Sequence, residues 1–187
     1  MNRDRYDFVA MTLHWVIALG ILFQIAMGLA MVHLDLSDAT KFSFYQLHKS
    51  VGISILLAAL LRILWRFTHR PPPLPDMPEL EKAAATGTHW LLYALMVLLP
   101  LTGWADVTLS PFHIPTVLFG WVPWPNFPGL AAYAGNKAAN DAADFIHSKL
   151  GYVILGLVVL HVAAALRHHF WLRDDVLRRM LPFARRT

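Results

Sequence analysis

Among the ten histidines in this chain, His14, His48, His147 and His161 stand within long apolar stretches as candidates for chemistry. An ionisable side chain within a membrane span is costly unless it is paired or ligated, which makes each of these a functional hypothesis by default. Two of them share one run, Phe145 to Trp171 (FIHSKLGYVILGLVVLHVAAALRHHFW). In a helix, fourteen residues at ~100° each return to within ~40° of the starting face and climb ~21 Å. His147 and His161 therefore occupy one stripe at two depths, where imidazoles can ligate a metal or relay protons.

The elements that hold them follow from the distribution of apolar residues. Of 187 residues, 57% are hydrophobic and 15% charged, and four windows of the length needed to cross a bilayer stand out: 8–31, 46–67, 88–107 and 145–171. The expected fold is an all-α integral membrane protein, one domain over 1–187 with four transmembrane helices and an external loop at 108–144. The first window is too long for a secretory signal and lacks a convincing cleavage site, so it is read as a span. With no cysteine, disulfides, thiolate metal sites and covalent haem attachment through Cys-x-x-Cys-His are excluded.

Charge sets the topology. The net charge of +4 comes with arginines in three clusters: Arg3 and Arg5; Arg62, Arg66 and Arg70; and Arg167, Arg173, Arg178, Arg179, Arg185 and Arg186. Four spans bring all three clusters, with Lys82, to one side, and leave Lys41, Lys49, Lys137 and Lys149 on the other. The positive-inside rule then places both termini in the cytoplasm, and no nucleic-acid partner is implied. Residues 33–45 read as a short external loop. HRPPPLPDMPEL is a stiff proline-rich linker, and Pro100 is expected to kink the third span. The aromatic, proline-dense part of the long loop is expected to lie on the membrane surface as turns and short helical pieces, followed by a helix leading into the last span.

By depth, His14 and His161 fall near the cytoplasmic side, and His48 and His147 near the external side. Two pairs at two levels suit two haems, each with an imidazole on both axial faces of its iron. Gly52 and Gly151 lie one turn beyond the external histidines, and Ala18 and Ala165 one turn beyond the internal ones, leaving room for a flat macrocycle. A single such histidine is equally well read as hydrogen-bonded core, and small residues spaced four apart equally well pack helix on helix. A zinc or copper site would need a third converging ligand, which the depths do not supply. Arg62, near the inner end of the second span, either reaches a haem propionate or snorkels to the surface. His89 and His168 lie near the inner pair, where they could bond a propionate, take part in quinone protonation, or simply meet interfacial water.

These residues resemble the bacterial cytochrome b561 family and its relatives, the b-type cytochrome subunits of membrane hydrogenases and formate dehydrogenases. The resemblance runs through LHW of the first span, LHKSVGISIL and LLRILWR of the second, HWLLYALMVLLPLTGW of the third, and HSKLGY with LHVAAALRHHFW of the fourth. It implies a bacterial inner-membrane protein with two haem b groups, His14 and His161 ligating the cytoplasmic one and His48 and His147 the periplasmic one. That is the pairing the depths give independently. It also implies electron exchange with the quinone pool. Relatives that stand alone include a superoxide oxidase, which passes electrons from superoxide to ubiquinone. Lys49 and Lys149 flank the external histidines and could steer an anion, or snorkel at the interface. The alternatives are a cytochrome subunit served by a periplasmic dehydrogenase or hydrogenase, and, from another class, a haem-free four-helix transporter with a histidine proton relay. The sequence is silent on oligomeric state.

Overall fold

The structure is a computed structural model and describes residues 5–182; of the expected cytoplasmic arginines, Arg3, Arg185 and Arg186 lie outside them. Four long helices dominate: α1 (Phe8–His33), α2 (Asp38–Thr68), α3 (Glu79–Leu109) and α4 (Lys137–Arg167), the last continued by a π-helical turn at His168–Leu172. All four are long and apolar enough to cross a membrane, and the protein is a four-transmembrane-helix bundle. Leu19, Leu64 and Leu160 are each more than 60% exposed, as suits side chains that meet hydrocarbon instead of water.

Helix α1 packs on α2, α2 on α3 and α3 on α4. The core sits where the first three meet, built from Ile17, Ile55, Ala59, Tyr93 and Met96. Gly20 permits that approach, since a Cβ there would stand 3.1 Å from Ile55. Helix α4 contributes one buried residue, Ile154, so its histidine stripe, not a packed apolar seam, is what it presents to α1 and α2.

Two helices begin earlier than hydropathy suggests. Ser37 caps α2, its hydroxyl accepting from the Thr40 N–H, and helix then runs from Asp38 through residues expected as loop. The intervening connection is only Leu34 to Ser37. Helix α3 likewise starts at Glu79, because the stretch after Pro78 is rich in good helix formers, Glu, Leu, Lys and Ala. Polar residues in these extensions lie beyond the hydrocarbon and escape a hydropathy window. The long connection after α3 also differs from expectation, because it contains an antiparallel hairpin, β1 (Thr116–Leu118) with β2 (Val122–Trp124). Its turn residues Phe119 and Gly120 have φ of 50° and 78°, the primed geometry that suits tight hairpins. Buried Ser50 donates to nothing in the hairpin but accepts from the Phe119 N–H at 2.9 Å, and the Gln46 and Lys49 side chains donate to the Pro115 carbonyl. The hairpin is thereby clamped onto α2 beside His48.

The termini share the opposite end. Trp15 Nε1 donates to the Met180 carbonyl at 2.8 Å, Arg5 donates to the Leu181 carbonyl, and Arg179 donates to the Pro73 carbonyl at 2.8 Å. Asp7 caps α1, accepting from the Ala10 N–H at 2.9 Å and from the Trp65 indole at 3.0 Å. Burial pushes the Asp7 carboxyl up, but these two donors and nearby His69 more than reverse it, leaving it below the ordinary carboxylate value. A carboxyl depressed in the folded state stabilises above its unfolded pKa and loses that contribution as pH falls through the folded value. Asp7→Ala should therefore cost about 1 kcal/mol at neutral pH, with the difference from the parent shrinking as pH falls through the folded-state value of the carboxyl. Thermal unfolding in detergent across that range checks this, and equal stabilities at pH 7 would contradict it.

Candidate functional site: two histidine pairs

The bundle brings the expected histidines together in the two combinations their depths suggest. His14 on α1 and His161 on α4 have ring centroids 6.3 Å apart with planes at 67°, and His48 on α2 and His147 on α4 are 6.1 Å apart at 82°. All four are partly buried. Two imidazoles bound through nitrogen to opposite faces of one metal at roughly 2.0–2.1 Å place their centroids about 6 Å apart. Both pairs have that spacing. Among the described residues, no group of three His, Asp or Glu side chains is placed to hold a metal ion.

His147 is the most tightly defined of the four. Its Nδ1–H donates to the Leu99 carbonyl at 3.1 Å and to Thr102 Oγ1 at 3.2 Å, which leaves Nε2 as the nitrogen free to ligate. A Cβ on Gly103 would lie 2.8 Å from His147 Cε1, so only glycine lets the ring rest there. Thr102 and Gly103 were not anticipated. The signal is present as a Thr-Gly pair two residues beyond Pro100, since glycine in a membrane helix often marks close approach. Across the pair, His48 Nδ1 is buried without a hydrogen-bond partner among the described residues, while the His48 carbonyl accepts from Gln24 Nε2 at 2.9 Å. The two glycines expected to leave room differ. At Gly52 a Cβ would meet Gln24 Nε2 at 3.1 Å, so its smallness accommodates that side chain, whereas at Gly151 a Cβ would meet nothing within 4 Å.

Around the pair at the end with the termini, His89 stands 5.6 Å from His161 between centroids, giving that ring two histidine neighbours. Arg62 donates to the Ala10 carbonyl at 2.7 Å, one helical turn before His14, and its guanidinium lies 5.8 Å from the Tyr93 ring centre. The guanidinium thus crosses from α2 to the third residue of α1, near the end that holds the termini. His168 heads the π-helical turn and bonds Asp174 Oδ2 through Nδ1 at 2.5 Å. Just outside α1, burial pushes the Tyr6 phenol up, against the pull of Arg66. At the other end, Lys49 is half-buried with its ammonium on Pro115, whereas Lys149 is exposed beside its own helix neighbour Phe145. Asp106 lies at that end too, bonded by Asn140 Nδ2 at 2.6 Å.

A four-span bundle with two cross-helix imidazole pairs is the plan of a membrane electron-transfer cytochrome. The chain belongs to the prokaryotic cytochrome b561 family, whose model matches residues 5–183. It is 35% identical to cytochrome b561 homolog 2 of Escherichia coli, over 95% of this chain and 92% of that protein. It is 30% identical to cytochrome b562 of Cereibacter sphaeroides, over 94% of each chain. It is also 26% identical to a probable superoxide oxidase of Yersinia pestis, over 96% of this chain and 97% of that one. The family typically binds haem b.

The pair at the end with the termini has a consequence that needs no cofactor to test. Arg62 ties α2 to α1 by a charge-assisted hydrogen bond, so Arg62→Met should lower stability by about 2 kcal/mol, with Arg62→Lys recovering part of it. Chemical denaturation of the purified protein measures both, and an unchanged midpoint for the methionine variant would contradict the role.

Proposed function

We propose that the protein is a di-haem b cytochrome of the bacterial inner membrane that carries electrons from the periplasmic face to the quinone pool, with superoxide as donor and ubiquinone as acceptor. The observation that carries this reading is the spacing of the two imidazole pairs, which is what two histidines holding one iron between them would require. His14 and His161 hold the cytoplasmic haem, and His48 and His147 the periplasmic one. Haem b bound at each pair supplies a one-electron iron couple.

The residues then divide the remaining work. The Nδ1–H of His147, given to Leu99 and Thr102, presents Nε2 to the iron in a fixed orientation. Arg62, bonded to the Ala10 carbonyl one turn before His14, supplies positive charge for a propionate. His89 and His168 are proposed to bond a propionate or to pass protons to quinone; for His168 the Asp174 carboxylate fixes the ring and leaves Nε2 for that task. Two superoxide ions each give up one electron and leave as dioxygen, and one ubiquinone takes the two electrons and two protons to become ubiquinol. Lys49 and Lys149 attract the anion. Because Asp106 and Asp144 also lie at that end, steering depends on where the lysines stand and not on net charge. The substrate assignment draws on the likeness to the probable superoxide oxidase and on those lysines.

A second reading keeps the haems and changes the donor, making the protein the membrane cytochrome of a periplasmic dehydrogenase or hydrogenase. The hairpin tip favours it, since Phe119 and Trp121 are exposed beside the outer pair and offer a partner an apolar ledge.

Purified protein should contain about two b haems per chain, with His14→Ala and His147→Ala each losing one and His89→Ala losing none. Unchanged haem content in the first two variants would refute the pairing, and a colourless parent would favour a haem-free transporter. Given a superoxide source, the parent should be reduced about tenfold faster than a Lys49→Glu, Lys149→Glu variant at low ionic strength, the gap closing in high salt. Equal rates would remove the steering role. No reduction by superoxide at all would favour the partner-fed cytochrome.

A further inference from the structure

Helix α3 carries none of the four paired histidines, yet it determines how one of them is held. Thr102 Oγ1 donates to the Leu99 carbonyl at 2.8 Å, so its own lone pairs are free to accept, and the His147 Nδ1–H is shared between that hydroxyl and the same carbonyl. The ring lies so close over Gly103 that a Cβ there would stand 2.8 Å from Cε1 and 3.1 Å from Nδ1. Any side chain at 103 would push the imidazole off both acceptors. His48 has no such support, because its buried Nδ1 lacks a partner among the described residues and a Cβ added at Gly28 would stand 3.9 Å from its Cε1, an ordinary contact.

We infer that the α3 turn from Leu99 to Gly103 is a positioning element that makes His147 the electron-rich ligand of its pair and so holds the reduction potential of the periplasmic-side haem down. This rests on the haem ligation proposed above. Donating Nδ1–H to two oxygens builds imidazolate character on the ring and raises the basicity of Nε2. A more basic axial ligand favours the ferric over the ferrous state, and axial ligation with its hydrogen bonding is one of the protein's levers on haem potential. Leu99 contributes a backbone carbonyl, Thr102 a side chain that can be removed, and Gly103 the space. Asp144, three residues before His147, pushes in the same direction and Lys49 in the opposite one, and both are unchanged in the variants that test the idea.

The test is an optical redox titration of the purified holoprotein. Thr102→Val, close to isosteric, removes one acceptor. It should raise the potential of one haem, shifting its oxidised-to-reduced ratio about tenfold at fixed ambient potential, or about 59 mV for one electron, and leave the other haem in place. Thr102→Ser should restore the parent value. Gly103→Ala should move the same haem further or release it alone. Should the valine variant not accumulate, Thr102→Ala compared with Thr102→Ser makes the same distinction. Two potentials identical to the parent's in the valine or alanine variant, or a downward shift, would overturn the inference while the haem reading stood. A parent without two haems would instead overturn that reading.

Discussion

The constraint on which this structure depends is the cost of keeping a polar ring in hydrocarbon. An imidazole at membrane depth must find a partner, and here the partners come from different helices. Helix α4 faces α1 at one level through His161 and His14, and α2 at the other through His147 and His48. Because α4 has a single buried residue of its own, it is its packing on α3 together with these edge-on ring contacts, not an apolar core shared by all four helices, that locates it in the bundle.

The two levels are built differently. At the hairpin end, α3 receives the His147 ring on the open surface of Gly103, Gln24 braces α2 through the His48 carbonyl, and Ser50 and Lys49 hold the hairpin over the site. At the end with the termini, three histidine rings gather and Arg62 crosses from α2 to α1. One level is thus enclosed by backbone contacts and the other by charge.

Much of this was legible in the sequence, for physical reasons. Hydropathy marks spans because each must shield its backbone from lipid, and the fourteen-residue step from His147 to His161 places both on one helical stripe whatever surrounds them. Features that depend on tertiary approach were not legible. Gly103 and Thr102 acquire meaning only once α3 meets α4, and Gly52 was expected to leave open room yet lies against Gln24. The start of α2 was missed because a capping serine and the helical turns after it lie outside the apolar window. The hairpin was missed because its two strands are three residues each and the second contains Pro123.

The central claim is that each pair of histidines forms the two axial ligands of one iron, and electron paramagnetic resonance of the oxidised, purified protein tests it most directly. Nitrogen ligation on both faces makes ferric haem low-spin, and imidazole planes as steeply crossed as 67° and 82° make the signal strongly anisotropic. The expected spectrum contains two such low-spin signals, each with a large leading g value, in equal amounts. A predominant high-spin ferric signal, or a single low-spin haem per chain, would contradict the account.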